Sequence, residues 1–272
     1  MTQMDPDAPY GTYAPDGRTR FLRTLVDLGL SRGKLTKWIR RRWLARHGPM
    51  VDAEVNGTRY RFDLRNNVTD SKVRLSSKVY DGEEIAALTE TARGGVFVDV
   101  GANIGYYTLA LLGQGAARAV AIEPNPPALA RLRFNVVING LDDRVSLVEE
   151  GAGPEGELEF FQTTALGSAS FVRPDMEASA IRVRTRPLLS ILDGLDITAI
   201  GALKIDVEGF EDRVLVPFLR EAPKALLPRT VVMERCNAQN WETDPLDLFV
   251  ASGYRVMRET RGNVILRLDK AS

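Results

Sequence analysis

Several residue types are scarce in this chain of 272 residues, and each scarcity excludes a class of protein. Cys236 is the only cysteine, so no internal disulfide exists and a reducing compartment, the cytoplasm, is expected. We expect it to be a small buried residue, and His47, the only histidine, to be structural or on the surface. No apolar run approaches the roughly 18 residues of a spanning helix, and the polar N-terminus lacks the pattern of a signal peptide.

Neither sign of charge is in excess, because 36 Lys and Arg balance 36 Asp and Glu. A global preference for polyanions is therefore not indicated, and no nucleic-acid partner is expected. The basic residues cluster locally, with ten Lys or Arg between Arg18 and Arg46 against the single acid Asp27. Apolar residues at helical spacing over 20–46 predict helices with a basic face. That face is either solvated, or meets an anionic membrane or lipid-linked substrate, or binds a partner protein.

The chain divides into three parts. Residues 1–50 comprise a loose tail, over 1–17, and the basic helical region. In residues 51–94, two alternating runs flank Asn56-Gly57, which predicts a β-hairpin, and a helix is predicted over 82–91. This middle part precedes the main domain, over 95–272, and is expected to cover its site.

Strand and helix patterns alternate through the main domain. Strands are predicted at 96–100, 118–123, 144–150, 200–206 and 229–235, with helices at 104–113, 126–138, 187–193, 209–220 and 244–252. A β-rich excursion spans 157–185, and strands at 254–259 and 263–268 close the chain. Such alternation predicts an α/β architecture with a mostly parallel sheet. The closing antiparallel hairpin is typical of the Rossmann-like, seven-stranded class I methyltransferase fold.

A glycine-bracketed turn follows the first strand of this series, with the spacing Asp99-x-Gly101-x-Asn103-x-Gly105. Asn103 and Tyr106 stand where the dinucleotide-binding fingerprint needs glycines. An acid before the turn suits a ligand that carries an ammonium group and a sulfonium, and it would repel a pyrophosphate. The turn therefore indicates S-adenosylmethionine. Glu123, at the end of the next strand, can accept the ribose hydroxyls.

The fourth strand of the series carries charges that a buried strand does not normally contain. A period of two places Lys204, Asp206 and Glu208 on one face, and Glu234 ends the following strand. Either these groups form a structural ion-pair network, or they converge on a site at the carboxyl ends of the strands.

Three motifs and Glu234 together resemble the FkbM family of S-adenosylmethionine-dependent methyltransferases over residues 80–235. The motifs are Asp99 to Gly105, Glu123 to Pro126, and Lys204-Ile-Asp-Val-Glu-Gly209 with Glu211. The resemblance implies that Asp99 and the turn hold the methionine end of the cofactor and that Asp206 lies beside the transferred methyl. It further implies a cofactor site built from Asp99, Gly101, Ala102, Asn103, Gly105, Glu123, Pro124, Asn125, Glu150 for the adenine amino group, and Tyr80 as a lid contact.

The resemblance also implies O-methylation of a hydroxyl on a sugar, a glycolipid or a polyketide-type molecule. A hydroxyl needs a base, for which the carboxylate candidates are Asp206, Glu208 and Glu234; Lys204 either tunes them or acts as the base itself. The same carboxylates could hold Mg²⁺, although a metal-free site is favoured. The alternatives are N-methylation of a small molecule and a non-catalytic cofactor-binding module. Ser168, Ser170 and Phe171 are candidates to line the acceptor pocket.

Overall fold

The structure is a computed structural model that describes residues 5–15, 50–63, 81–162, 169–172 and 178–269. The basic helical region predicted over 20–46 lies outside these ranges, as do His47, Tyr80 and Ser168. Within the described ranges, no helix combines the length and apolar character needed to cross a membrane.

A seven-stranded sheet forms the centre of the fold, and it confirms the predicted fold class. Its strands are β3 (Val96–Val100), β4 (Arg118–Ile122), β5 (Val145–Val148), β9 (Ala202–Ile205), β10 (Thr230–Glu234), β11 (Tyr254–Glu259) and β12 (Asn263–Leu268). The order across the sheet is β11-β12-β10-β9-β3-β4-β5. The five strands from β10 to β5 are parallel, and β12 pairs antiparallel with both β10 and β11.

Helices cover both faces of this sheet. They are α1 (Gly82–Ala92), α2 (Tyr106–Gly113), α3 (Pro126–Ile138), α4 (Leu188–Asp193), α5 (Glu211–Glu221) and α6 (Pro245–Ala251). Successive β3 residues enter opposite halves of the core: Phe97 packs with α1 and α2, whereas Val98 packs with α4 and α5. This burial on both sides explains why the sequence of the strand is almost continuously apolar.

The predicted hairpin is confirmed as β1 (Met50–Val55) and β2 (Thr58–Asp63). Asn56 and Gly57 both adopt positive φ, at 51° and 80°, as the two-residue turn requires. The hairpin packs on the outer helices: Arg61 N donates to Asn135 Oδ1 of α3 at 2.8 Å. It does not border the cavity described below, whereas the first turn of α1 does.

Residues 5–15 are held against this hairpin, so the prediction of a loose tail was wrong for them. The buried Arg61 guanidinium donates to the carbonyl oxygens of Pro6, Ala8 and Pro9. It also pairs with Asp52, with Nε 2.7 Å from Oδ1. Asp52 Oδ2 in turn accepts the N–H of Gly11 at 2.8 Å. A buried ion pair therefore organises the segment, which its Pro-rich composition did not indicate.

The β-rich excursion is confirmed as a separate sheet of β6 (Gly151–Ala152), β7 (Gly156–Gln162) and β8 (Ser179–Arg186), in the order β6-β8-β7. Gly151 and Ala152, in β6, and Phe160, in β7, line the cavity described below.

Candidate active site

A cavity of about 1030 Å³ opens at the carboxyl ends of β3, β4, β9 and β10. In a parallel sheet these ends meet at one edge, which is where ligands bind in open α/β folds. Nine of the residues predicted to form the site line it: Gly101, Ala102, Asn103, Glu123, Pro124, Lys204, Asp206, Glu208 and Glu234. Asp99, Gly105, Asn125 and Glu150 do not line it.

The glycine turn is shaped by backbone geometry that side chains would obstruct. Gly101 has φ +78°, and a Cβ there would lie 1.9 Å from the carbonyl oxygen of Asp206. Gly105 has φ +86°, and its Cβ would lie 2.5 Å from Leu132 Cδ1. Gly101 therefore lets the turn approach the end of β9, and Gly105 lets it approach α3.

Asp99, in β3, anchors the first turn of α2, which follows the glycine turn. It is fully buried, and its Oδ2 accepts the N–H and the hydroxyl of Thr108 in α2, at 3.0 and 2.6 Å. Burial raises the pKa of Asp99. Its Oδ1 is buried without a hydrogen-bond partner among the described residues.

Glu123 joins the end of β4 to the glycine turn. Its Oε2 accepts the N–H of Asn103 at 2.7 Å, and its Oε1 accepts the N–H of Asn125 at 2.9 Å. Burial raises the pKa of Glu123 to about 7. Each carboxylate oxygen retains a second lone pair that can accept a ligand hydroxyl.

The far end of the cavity beyond Glu123 is aromatic. The rings of Phe160 and Phe171 meet edge to face at 4.9 Å between centroids, and both line the cavity. Gly151 permits this approach, because a Cβ there would lie 2.5 Å from Phe171 Cζ. Glu150 instead turns away and pairs with Arg184 and Arg186 of β8. Asn125 Oδ1 accepts from Gln162 Nε2 at 2.7 Å.

Lys204 lies at the centre of the charged cluster and is 6% exposed. Its Nζ donates to Asp206 Oδ2 at 3.1 Å and lies 5.1 Å from the centroid of the Tyr107 ring. Burial lowers the pKa of Lys204, but the carboxylates of Asp206 and Asp99 outweigh it and the net pKa is raised. Lys204 is thus a buried cation, which does not suit a role as a base.

Glu208 lines the cavity, but not as part of a strand, which is what its spacing from Lys204 and Asp206 predicted. The strand ends at Ile205, so the period of two does not extend to Glu208, which adopts φ +55° in the following turn. The buried Glu211 shapes this turn by accepting the N–H groups of Val207 and Gly209. Glu208 Oε2 accepts from Asn237 Nδ2 at 3.0 Å, and burial and Asp206 raise its pKa to about 7.

Glu234, Cys236 and the turn 260–263 form the side of the cavity opposite Glu123. Burial raises the pKa of Glu234 to about 8, with Asp206 and Glu208 adding to the effect. The prediction that Cys236 is buried was wrong, because it is exposed at the cavity after β10 has ended.

Sequence reasoning missed the residues that α1 contributes. Asp81, just before α1, accepts the hydroxyl of Tyr107 at 2.8 Å. Glu84 is buried, and its Oε1 accepts from Thr260 Oγ1 at 2.8 Å and Asn263 Nδ2 at 3.3 Å. The only signal for Glu84 was an acid on the apolar face of a helix. Of the predicted acceptor-pocket residues, Phe171 lines the cavity, whereas Ser170 Oγ donates to the carbonyl oxygen of Glu208 at 3.0 Å.

These features fit S-adenosylmethionine. The cavity is at the upper end of the usual range for small-molecule sites, which leaves room for a cofactor and an acceptor group. The glycine turn could hold the methionine end, Glu123 the ribose, and the Phe160 and Phe171 rings the adenine. In the part of the chain that the structure describes, no group of three or more His, Cys, Asp or Glu is arranged to hold a metal ion.

Two solved structures are similar to this chain at low sequence identity. Methyltransferase FkbM from Methylobacillus flagellatus KT is 22% identical, with a TM-score of 0.43 over 63% of this chain and 42% of that one. A tRNA (uracil-54, C5)-methyltransferase from Pyrococcus abyssi, solved with S-adenosyl-L-homocysteine, is 15% identical, with a TM-score of 0.44 over 80% of this chain and 44% of that one.

Among curated relatives, the tRNA wybutosine-synthesizing protein 2 homolog of Rattus norvegicus is 39% identical over 111 residues, which are 38% of this chain and 22% of that protein. The chain thus spans about a fifth of the length of this relative. A probable cobalt-precorrin-6B C(15)-methyltransferase of Methanothermobacter thermautotrophicus is 41% identical over 71 residues, 26% of this chain and 36% of the relative. The expectation that nucleic acid is excluded was wrong, because relatives named for tRNA modification contradict it.

The family model for the methyltransferase FkbM domain matches residues 99–256. The match includes the glycine turn, the charged cluster after β9 and the beginning of β11. It covers more than half of the chain, so this protein belongs to the FkbM family of S-adenosylmethionine-dependent methyltransferases.

Proposed function

We propose that this methyltransferase transfers the methyl group to a hydroxyl of a sugar, glycolipid or polyketide-type molecule. The observation that carries the proposal is the convergence of Asp206, Glu208 and Glu234 on one end of the cavity, adjacent to the glycine turn. A hydroxyl is a poor nucleophile until its proton is removed. Glu208 and Glu234, whose pKa values are raised, are suited to remove it.

The cavity residues divide into two functional groups under this proposal. Gly101, Ala102 and Asn103 hold the methionine end of the cofactor, and Glu123 and Pro124 border its ribose. When bound, S-adenosylmethionine supplies an electrophilic methyl group on a positively charged sulfur. Asp206 lies between this half and the acceptor half, and its bond to Lys204 fixes its position.

Acid groups dominate the lining, which has seven Asp or Glu side chains against Lys204 and Arg261. A negative cavity favours a cationic cofactor. It also favours an acceptor whose reacting end is uncharged or cationic. An acceptor that carries phosphate would therefore keep its phosphate near the rim, where Arg261 is exposed.

A second candidate is methylation of a nucleoside in tRNA, which the tRNA-modifying relatives favour. An uncharged nucleobase could enter the cavity while the phosphates remain outside. N-methylation of a small amine uses the same carboxylates, which would remove the proton of an ammonium group before attack.

The experiment that separates these candidates is a transfer assay with methyl-labelled S-adenosylmethionine. The full chain is incubated separately with a lipid-containing metabolite extract of the producing cells and with total tRNA from the same cells. Label in an alkali-stable methyl ether of the extract is the expected result. Label in tRNA would establish the second candidate instead, and label in neither fraction, with cofactor bound, would favour a non-catalytic binding module.

A further inference from the structure

Glu234 differs from the other carboxylates that line the cavity in having an oxygen that is buried and unsatisfied. Among the described residues, five side chains contain a buried polar atom without a hydrogen-bond partner. Glu234, whose unsatisfied atom is Oε2, is the one residue of these five that lines the cavity. A buried acceptor without a donor is unfavourable by about 1–3 kcal/mol, so such an atom in a site indicates a missing ligand group.

The other six acids of the lining already have partners. Their donors are the Tyr107 hydroxyl for Asp81, Arg258 for Glu83, Thr260 and Asn263 for Glu84, two backbone N–H groups for Glu123, Lys204 for Asp206, and Asn237 for Glu208. Each of these carboxylates therefore already has at least one hydrogen-bond or ion-pair partner. Among the described residues, no hydrogen-bond donor reaches Glu234 Oε2.

Its place in the sheet puts Glu234 on the acceptor side. The glycine turn and Glu123 follow β3 and β4, whereas Glu234 ends β10, two strands from β3 in the other direction. Glu234 pairs in register with Asn263, so it is adjacent to the turn that closes this side of the cavity. Asp206, at the end of the strand between, separates the two halves.

We propose that Glu234 takes the proton of the methyl acceptor through Oε2, an inference that rests on the proposed function. As the acceptor oxygen forms its bond to the methyl carbon, the carbon–sulfur bond breaks and its electron pair stays on sulfur. The proton of the acceptor hydroxyl moves to Glu234 Oε2. The products are a methyl ether, neutral S-adenosylhomocysteine and protonated Glu234, which then releases its proton to solvent.

The charges around Glu234 suit this role. The groups on neighbouring elements are Lys204, Asp206, Glu208, Glu211, Glu84, Arg261 and the Cys236 thiol. Burial and three of these carboxylates raise the pKa of Glu234 to about 8. When bound, the cofactor would bring a positive charge into the cavity, which would oppose that effect and favour the ionised carboxylate.

The first test needs no acceptor. The wild type and Glu234→Gln are titrated calorimetrically with S-adenosylmethionine and with S-adenosylhomocysteine at pH 7.5, in phosphate and in Tris, whose ionisation enthalpies differ. Because its pKa is raised to about 8, Glu234 is largely protonated at this pH, so we expect a net release of protons on binding S-adenosylmethionine. The release should be much smaller with S-adenosylhomocysteine, and Glu234→Gln should lose most of it while still binding the cofactor.

Equal proton release by the wild type and Glu234→Gln would overturn the proposal, whatever the acceptor proves to be. Glu155→Gln, at an exposed position before β7, is the matched control and should release as much as the wild type. In the label-transfer assay, Glu234→Gln should transfer at least 100-fold more slowly, and the pH dependence on the acid side should disappear. Transfer at the wild-type rate would also overturn it, whereas no transfer by the wild type would count against the proposed function alone.

Discussion

Glu123→Gln should destabilise the protein at low pH but not at high pH. Glu123 is 6% exposed, and both of its oxygens accept backbone N–H groups, from Asn103 and Asn125. Burial raises its pKa from 4.5 to about 7. Between these pH values, the folded protein retains a proton that the unfolded chain has lost, so the stability of the wild type falls as pH rises through this window.

The size of this fall follows from the same two pKa values. Each unit of pKa corresponds to about 1.4 kcal/mol, so the difference between 4.5 and about 7 amounts to about 3 kcal/mol by pH 8. Glutamine does not titrate and avoids this loss. It also presents an NH₂ group to one backbone N–H, which leaves that donor unsatisfied at a cost of about 1–3 kcal/mol at every pH.

The variant should therefore be less stable than the wild type by about 1–3 kcal/mol at pH 5, and as stable or more stable at pH 8.5. Urea unfolding followed by far-ultraviolet circular dichroism measures both differences. Glu155→Gln, an exposed control, should leave stability unchanged at both pH values. A destabilisation by Glu123→Gln of the same size at pH 5 and pH 8.5 would refute the reasoning.

Two further variants test the geometry. Gly101→Ala would place its Cβ 1.9 Å from the carbonyl oxygen of Asp206 and so distort the turn. Calorimetry should then show at least tenfold weaker cofactor binding. Gly113→Ala is the control, because its Cβ would meet nothing closer than 3.7 Å. Arg61→Met leaves the buried Asp52 charge unpaired and should destabilise the protein by about 3–5 kcal/mol in urea unfolding. The double variant with Asp52→Leu should recover part of the loss, and a wild-type midpoint for Arg61→Met would show that the pair contributes nothing.

Local patterns were sufficient to predict the central sheet. The bounds of β3 and α3 and of both closing strands match the prediction. The signals for them are β-branched runs, Pro126 at a helix start and the bend at Arg261-Gly262-Asn263, and each spans only a few residues. The hairpin turn at Asn56-Gly57 could also be predicted, since both of its central residues must adopt positive φ and Asn-Gly is suited to this.

The parts that could not be predicted depend on contacts between residues distant in the sequence. The segment 5–15 is ordered by Arg61, about 50 residues away, and Glu84 is fixed by a turn nearly 180 residues later. The position of Glu208 was predicted from strand periodicity, which fails once the backbone enters a left-handed turn. The prediction that Glu150 faces the cofactor failed for a similar reason. Its carboxylate pairs with the arginines of β8 and does not point into the cavity.

The most direct measurement of the central claim is a calorimetric titration of the wild-type protein with S-adenosylmethionine. The cavity beside the glycine turn predicts one binding site per chain, with a dissociation constant in the micromolar range. The Gly101→Ala variant should bind far more weakly, which would locate that site at the turn. Absence of binding to the wild type at 1 mM cofactor (about −4 kcal/mol) would contradict the account.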